Sequence, residues 1–302
     1  MSELKLAMGA KAPCEASPRW RLRLMGKRVQ GTGTGTHDMK MKLYHGDCLE
    51  KMKLIPDKSV DMVLTDPPYG TTACKWDVVI PFKEMWQQVE RVIKPKGAIL
   101  IFGAEPFSSI LRASNLKIFK YDWIWIKDKP VGFLNAKKMP LSCHEIISVF
   151  YKKPPLYVPQ KWDSKPMNTV NFGGGVMSGN KIDIYGKRSV VLKKEKNSTK
   201  RLPLSYLKMN GVNGQSKDKT KHPTQKPVTL LEYLIKTYTL ENETVLDFTA
   251  GSFSTGIACV NLNRHFIGIE KDREYFNIGV NRMKERIDCL DLKIELTIVE
   301  EN

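Results

Sequence analysis

The chain has 302 residues and a formal net charge of +17, a length compatible with two domains or with one α/β core that carries an insertion. No apolar stretch reaches membrane-spanning length, and the basic amino end lacks the apolar segment of a signal peptide. Six cysteines without a CxxC pair and five histidines that do not cluster predict a cytoplasmic protein with reduced thiols, without disulfides and without a metal site.

Residues 1–40 are predicted to form a flexible basic arm. The segment contains a basic cluster between Arg19 and Arg28 and a threefold Gly-Thr repeat over 31–36 that is typical of a linker. The arm could contribute to binding or be a plain extension of a core that starts near Met39 or Met41, and the sequence leaves both open.

A short strand over 42–44 is predicted next, followed by the acidic residue Asp47. Asp is a favoured helix N-cap, and it is also a residue that can contact a ligand where a strand ends. The two interpretations of Asp47 are equally compatible with the sequence.

The most informative motif is Asp66-Pro67-Pro68-Tyr69-Gly70, which directly follows a predicted buried strand over 60–65. Two consecutive prolines force the chain to leave the strand in an extended conformation. The motif thus presents a carboxylate, proline carbonyls and an aromatic face at a strand end, where open α/β sheets bind ligands. A planar ring with an exocyclic amine suits this surface, although a simple strand-ending turn is the plainer alternative.

The next segment predicts alternating helix and strand. A helix over 81–93, a turn over 95–97 and strands over 98–102, 122–127 and 145–151 are expected. Trp123 and Trp125 are interpreted as core or pocket-wall residues, because aromatic residues are common in sheets. Either Phe133 or Trp76 could supply a second stacking surface.

The region 151–222 carries most of the charge, with 16 Lys and Arg against four acidic residues, a net +12 of the +17. Aromatic residues are interleaved with this charge. A basic run is usually a solvated face, but Lys and Arg also bind phosphates of any nucleic-acid sequence. The predicted phosphate contacts are Lys193, Lys194, Lys196, Lys200 and Arg201.

The last third of the chain has the pattern of a nucleotide-binding unit. A helix is predicted after Pro227, a strand over 244–247, a glycine-bearing turn over 248–256 and a strand over 265–269 that ends in Glu270. An acid about 20 residues after such a turn can accept hydrogen bonds from ribose hydroxyls.

Together, the Asp-Pro-Pro-Tyr tetrad, the Pro-Thr-Gln-Lys-Pro stretch over 223–227 and the glycine turn resemble the amino-methylating DNA methyltransferases. The order, with the tetrad ahead of the cofactor turn, resembles their circularly permuted beta group. The resemblance spans about residues 41 to 287.

The resemblance implies S-adenosylmethionine as methyl donor, double-stranded DNA as substrate and Asp66, Pro67, Pro68 and Tyr69 as catalytic residues. The implied cofactor residues are Asp47, Thr224, Gln225, Lys226, Asp247, Thr249, Gly251, Ser252, Thr255 and Glu270. Phe253 departs from the family pattern, which has Gly there, and a bulky residue adopts positive φ less readily than Gly.

The expected fold is a Rossmann-like methyltransferase with a mixed, mostly parallel seven-stranded sheet and helices on both faces. Residues 41–150 and 221–302 would form the catalytic and cofactor-binding domain, and 151–220 a basic target-recognition insertion. The implied reaction methylates adenine N6 at specific sites. Cytosine-N4 methylation and a DNA-binding relic are the alternatives, and a homodimer or a cognate restriction endonuclease is among the partners that the resemblance allows.

Overall fold

The computed structural model describes residues 39–72, 74, 77–163, 199–212, 225–292 and 294–300. The predicted amino-terminal arm lies outside this range except for Met39 and Lys40, which begin the first strand. Trp76, Thr224, Lys193, Lys194 and Lys196 also lie outside the described residues.

The described residues form a nine-stranded sheet in the order β11-β1-β10-β9-β2-β3-β5-β4-β8. Its strands are β1 (Met39–His45), β2 (Val60–Thr65), β3 (Ile93–Gly103), β4 (Phe119–Val131), β5 (Ser142–Phe150), β8 (Tyr206–Lys208), β9 (Thr244–Asp247), β10 (His265–Glu270) and β11 (Ile294–Val299). All neighbouring pairs are parallel except the two that β5 makes with β3 and β4. The mostly parallel Rossmann-like sheet is therefore confirmed.

Within the described residues, six α-helices connect and cover these strands. They are α1 (Cys48–Met52), α2 (Phe82–Val92), α3 (Phe107–Ser114), α4 (Val228–Tyr238), α5 (Ser254–Asn261) and α6 (Arg273–Cys289), with a 3₁₀ turn at Phe133–Asn135. Two apolar clusters fill the space between helices and sheet, one on each face. Trp123 and Trp125 are each 3% exposed, as expected for core or pocket-wall residues.

Two details of the expected fold are wrong. The sheet has nine strands instead of seven, because β8 and β11 add one strand at each edge. The predicted turn over 95–97 instead lies within β3, where the pairing with β2 shifts between Val60–Ile93 and Met62–Ala98. The extra residues form an irregularity in the strand, as in a β-bulge, so that Pro95 need not donate a ladder hydrogen bond.

The described part of the basic region is tied to the sheet. Strand β8 pairs with β4, while the short strands β6 (Trp162–Asp163) and β7 (Lys200–Arg201) pair with each other. Cys48, Cys74, Cys143 and Cys259 are free thiols in the part of the chain that the structure describes. No described helix is long and apolar enough to span a membrane.

Candidate active site

A cavity of about 950 Å³ opens at the edge of the sheet where the parallel strands end. Its walls come from segments that follow β1, β2, β9 and β10, and from side chains on β4 and β5. Small-molecule sites usually have volumes of roughly 300–1,000 Å³, and in open α/β sheets they lie at this edge. The cavity has room for a cofactor and part of a second substrate.

Asp66 follows β2 directly, and both of its carboxylate oxygens are engaged. Oδ1 accepts a hydrogen bond from the Tyr69 hydroxyl at 2.5 Å, and Oδ2 accepts one from the Lys226 ammonium. The Tyr69 ring stacks on Phe107 with 5.0 Å between centroids, and Tyr69 also lines the cavity. The motif thus holds a carboxylate and an aromatic ring at the cavity wall.

Lys226 is the buried member of a line of alternating charges whose other members are half-buried. Its Nζ lies 3.3 Å from Glu145 Oε2, and Glu145 Oε1 accepts a hydrogen bond from Lys127 Nζ at 3.0 Å. Lys226 is only 9% exposed, and its ammonium also lies 5.2 Å from the Phe102 ring centroid. Because an unpaired buried charge is costly, each of these charges depends on its neighbours.

Burial and the neighbouring charges set the protonation of this line. Burial raises the pKa of Asp66, although Lys226 opposes the shift. Burial alone would raise the pKa of Glu145, but Lys226 and then Lys127 outweigh it and lower that pKa. Burial also acts to lower the pKa of Lys226, yet Asp66 and Glu145 raise it overall. Burial and the Asp66 charge raise the pKa of Tyr69 well above its ordinary value, so its hydroxyl remains a donor.

Asp77 anchors the loop that follows the motif. Its Oδ1 accepts from the backbone N–H of Gly70 at 2.8 Å, and its Oδ2 accepts from those of Thr71 and Thr72 at 2.9 and 2.6 Å. One buried carboxylate therefore satisfies three successive backbone donors. Such an anchor fixes where Tyr69 sits relative to the cavity.

Thr65 and Asp247 join the two halves of the sheet beneath the cavity. Thr65 Oγ1 donates to Asp247 Oδ1 at 2.8 Å, and Thr255 Oγ1 donates to Asp247 Oδ2 at 2.6 Å. Thr65 Oγ1 also lies 2.7 Å from Thr249 Oγ1. Burial raises the pKa of Asp247 to about 7, although the Thr255 and Thr65 hydrogen bonds oppose the shift.

Phe253 adopts the left-handed conformation, with φ 58° and ψ 37°, at the N-terminus of α5. Its ring is fully buried and packs edge-on against Phe266 and Phe276, with centroids 6.2 and 5.7 Å apart. Gly279 makes room for it, because a Cβ there would lie 2.6 Å from the Phe253 ring. The cavity is still lined by the neighbours of Phe253, which are Gly251, Ser252, Ser254 and Thr255. The buried ring therefore leaves the cavity side of the turn unobstructed.

The acids at the ends of β1 and β10 also reach the cavity. Asp47 accepts from the Leu49 N–H at 2.9 Å as the N-cap of α1, and it pairs with Lys271 at 3.1 Å. Glu270 lines the cavity, and its two carboxylate oxygens accept hydrogen bonds from the Gly251 N–H and the Asp272 N–H, each at 2.7 Å. The N-cap interpretation of Asp47 is confirmed, and its role as a ligand contact stays a prediction.

Comparison with known proteins identifies the family. The chain matches the N6/N4 DNA methylase family over residues 60–281. It is 30% identical over 260 residues to the DNA adenine methyltransferase YhdJ of Escherichia coli, covering 80% of this chain and 82% of that protein. It is 32% identical to the type II methyltransferase M.BglII of Bacillus subtilis, covering 79% and 67%. The chain is a DNA methylase.

Solved structures agree on the fold. The S-adenosylmethionine complex of M1.HpyAVI is 27% identical with a TM-score of 0.53, covering 80% of this chain and 99% of that one. The cytosine-N4-specific PvuII methyltransferase has a TM-score of 0.58 at 16% identity, covering 86% and 95%, and shows the fold alone. Members of this family transfer a methyl group to DNA from S-adenosylmethionine, which is accordingly the cofactor here.

Most of the residues predicted for the methylase site meet at one cavity. Asp47, Asp66, Pro67, Pro68, Tyr69, Gln225, Lys226, Asp247, Thr249, Gly251, Ser252, Thr255 and Glu270 all line it. Lys200 and Arg201 do not, and lie on β7 instead. Their predicted roles in catalysis, cofactor binding and DNA binding stay predictions.

Sequence reasoning missed three residues of the methylase site. Glu145 and Lys127 complete the charge line, and Asp77 anchors the catalytic loop. Glu145 is a charge in the otherwise apolar strand pattern of 145–151, which was the available signal. Lys226 lines the cavity and also contacts Asp66, and its predicted role in cofactor binding stays a prediction.

Proposed function

We propose that this DNA methylase transfers the methyl group of S-adenosylmethionine to adenine N6 in double-stranded DNA, at specific sites. The observation that carries the proposal is the Asp66–Tyr69 pair at the end of β2, tied through Thr65 to the Asp247 end of β9 at one cavity. The Asp form of the tetrad favours adenine, whereas the Ser form is commoner in cytosine-N4 enzymes. The name of YhdJ, an adenine methyltransferase, supports the same choice.

The residues at the strand ends fit S-adenosylmethionine. Carboxylates suit its hydroxyl and amino groups, and we assign the ribose to Glu270 and the adenine to Asp47, both at the cavity wall. The turn that holds Thr249, Gly251, Ser252 and Thr255 would lie along the cofactor, whose methionine end would face Gln225 and the Thr224 segment. When bound, the cofactor supplies an electrophilic methyl group.

The target base must leave the duplex to reach the cavity, at a cost of a few kcal/mol. Tyr69 would hold the flipped ring by stacking, with Phe107 packed against the tyrosine to keep it in place. Asp66 and the Pro67 carbonyl would accept hydrogen bonds from the amine and localise the nitrogen lone pair. Placement and polarisation then provide most of the acceleration, and no covalent bond to the enzyme is needed.

We assign target recognition to residues 151–220 and catalysis to 41–150 with 221–302. Support comes from Gly211 and Val212, which line the cavity, and from the Gly211 N–H, which donates to Asp128 at 2.8 Å. The Trp125 indole donates to the Met209 carbonyl at 2.9 Å. The described residues 209–212 of the basic region thus lie beside the cavity, where DNA contacts would be coupled to base choice.

The test is base-resolved mapping of methyl groups in DNA from cells that express the protein or its Asp66→Ala variant. N6-methyladenine at one sequence in the wild type alone is the expected result, with DNA affinity of the variant within a few fold. N4-methylcytosine would assign the cytosine activity, and unmodified DNA together with normal DNA binding would identify a relic. Light scattering would detect a homodimer. A cognate restriction endonuclease would be found among the proteins encoded next to this one in the genome.

A further inference from the structure

The substrate-free site leaves Asp66 poorly available to an incoming amine. Its Oδ1 is taken by the Tyr69 hydroxyl and its Oδ2 by the Lys226 ammonium. An ammonium in direct contact neutralises much of the carboxylate charge, so the remaining lone pairs accept more weakly. For Asp66 to polarise the target amine, the Lys226 ammonium must therefore leave Asp66 and bind another group.

We propose that Glu145 is a positioning residue that receives the Lys226 ammonium when the target amine enters, freeing Asp66 to accept from that amine. The inference rests on the proposed function. It assigns to Glu145 and Lys127 a task in the reaction that neither the tetrad nor the cofactor turn includes.

The geometry makes the exchange small. Lys226 Nζ already lies 3.3 Å from Glu145 Oε2, so a short side-chain rotation converts this contact into a full hydrogen bond. An ammonium has three donors, and the Phe102 ring at 5.2 Å offers its face during the movement. Lys226 keeps its protons throughout, so the exchange moves a charge and transfers no proton.

Lys127 sets how strongly Glu145 competes for the ammonium. Its Nζ holds Glu145 Oε1 at 3.0 Å and lies 5.8 Å from the Trp125 ring centroid, which leaves Oε2 directed to Lys226. Glu145 and Lys127 are 17% and 14% exposed, so water competes little with either pairing. Glu145 is thereby kept ionised and in place without being fully neutralised.

The exchange also has an electrostatic signature. The groups that face Asp66 are Lys226, Glu145 and Tyr69, and Asp77 and Asp247 interact with them from the neighbouring loop and strand. The Glu145 charge raises the pKa of Asp66, whereas Lys226 lowers it. A neutral residue at 145 should therefore leave Lys226 on Asp66 and lower the pKa of Asp66.

The test compares Glu145→Gln and Glu145→Asp with the wild type and with Glu90→Gln. Glu90, which lies on α2 away from the cavity, is a matched control, because its carboxylate also forms an ion pair, with Lys152 at 2.8 Å. The first measurement is a pH titration of the Lys226 Nζ resonance by nitrogen NMR in the cofactor-free protein, assigned by its loss in Lys226→Arg. The chemical shift of this resonance should change with pH as Asp66 ionises. The midpoint of that change should move to lower pH in Glu145→Gln and should not move in Glu90→Gln.

The second measurement is single-turnover methylation at saturating DNA and S-adenosylmethionine. Glu145→Gln should lower the plateau rate by at least about tenfold, as expected for a misplaced catalytic group. In a plot of methylation rate against pH, the acidic decline of Glu145→Gln should occur at lower pH than that of the wild type. Glu145→Asp should recover part of the rate. Dissociation constants for cofactor and DNA, measured separately, should stay near the wild-type values.

An unchanged plateau rate in Glu145→Gln would overturn the inference, as would a slower rate with no shift of the Asp66 midpoint. If Glu145→Gln does not fold, Glu145→Ala carries the test, because it also removes the carboxylate, and a wild-type plateau rate in that variant would count against the exchange. A wild type that methylates no DNA would refute the proposed function instead, and the NMR titration would still report on the charge line.

Discussion

Tyr69 is the residue whose two parts have separable tasks. Its ring lines the cavity and stacks on Phe107, while its hydroxyl donates to Asp66. We expect Tyr69→Phe to keep much of the methylation activity, because stacking needs only the ring. Base–aromatic contacts contribute roughly 1–3 kcal/mol, so Tyr69→Ala should lower kcat/KM by roughly 10–100-fold.

Methylation kinetics and the fluorescence of a 2-aminopurine target test these two substitutions. The target should fluoresce on binding to the wild type and to Tyr69→Phe as it leaves the stack. Equal damage by Phe and Ala would show that the ring does not hold the base and that the hydroxyl bond to Asp66 matters more.

Asp77 should matter both to stability and to the catalytic loop. Burial alone would raise its pKa, but hydrogen bonds from the Thr72 side chain and from backbone N–H groups outweigh burial and lower it. Its stabilising effect is therefore present above the pKa of an unfolded aspartate and lost as pH falls through the lower folded value. Asp77→Ala should reduce the free energy of unfolding by about 2 kcal/mol, because the hydrogen bonds from three backbone N–H groups to this carboxylate are lost.

Urea unfolding of Asp77→Ala and of the wild type between neutral and acidic pH measures this difference. It should shrink toward low pH, and methylation by the variant should fall because the loop after Tyr69 loses its anchor. A difference that is constant with pH would mean that the carboxylate charge is not what holds the loop.

Asp247 should give a pH dependence of opposite sign. Its folded pKa of about 7 lies above that of an unfolded aspartate, so the folded state binds the proton more tightly. This contribution to stability is fully present at low pH and is lost as pH rises through about 7. Asp247→Asn should therefore show a flatter decline of unfolding free energy between acidic and neutral pH.

The exposed Asp288 provides a control for that measurement, since Asp288→Asn should leave the pH profile unchanged. If Asp247→Asn declines as steeply as the wild type, Asp247 is already ionised in the folded protein, and its two threonine hydrogen bonds compensate fully for its burial.

At the scale of secondary-structure elements, the packing of α5 against α6 explains how Phe253 is tolerated in the cofactor turn. The left-handed conformation costs roughly 1–2 kcal/mol for a residue other than Gly, whereas truncating a buried Phe costs roughly 3–5 kcal/mol. Phe253→Gly should therefore destabilise the protein by about 1–4 kcal/mol and leave cofactor affinity within a few fold, because the ring packs away from the cavity.

Gly279→Ala completes this test, because the new Cβ would meet the Phe253 ring. It should be destabilising alone but much less so in the Phe253→Gly background, where the ring is gone, and denaturant unfolding of the four proteins gives the coupling. If the two substitutions change the free energy of unfolding additively, Gly279 is not needed to accommodate the Phe253 ring. A large loss of cofactor binding in Phe253→Gly would show that Phe253 shapes the cavity.

At the scale of the whole molecule, the uneven charge predicts how DNA is held. The region 151–222 has a net charge of +12, and Lys200 and Arg201 are its described members among the predicted phosphate contacts. Replacing Lys193, Lys194, Lys196, Lys200 and Arg201 with Gln should weaken binding to every sequence. Each lost phosphate contact should lower the slope of log affinity against log salt by roughly 0.9.

Fluorescence anisotropy across a salt series measures that slope, and cofactor affinity should stay unchanged. Lys58→Gln with Lys96→Gln is a control, because both residues are exposed near the amino ends of β2 and β3, opposite the cavity. An unchanged slope in the five-residue variant would place the DNA-binding surface elsewhere.

The sequence alone determined the features that depend on local patterns. The apolar run of 60–65 and the prolines after Asp66 fix their own backbone, so the strand and the exit from it were predicted correctly. The strand and glycine turn after residue 244 were also predicted, although the helix begins at Ser254, three residues earlier than expected. The order of these motifs was enough to identify the permuted methylase fold. Edge strands such as β8 were not predictable, because a three-residue segment becomes a strand only when β4 offers it a partner.

Only the tertiary structure decided what each charge faces. Lys226 and Asp66 are 160 residues apart in the chain, and Glu145 lies on β5, yet the fold brings the three charges into contact. Likewise, Phe253 is explained by Gly279 and the two phenylalanines around its ring, which no local pattern connects to it. Local conformation follows from neighbours in sequence, whereas the partner of a buried charge or ring is set by which elements the fold brings together.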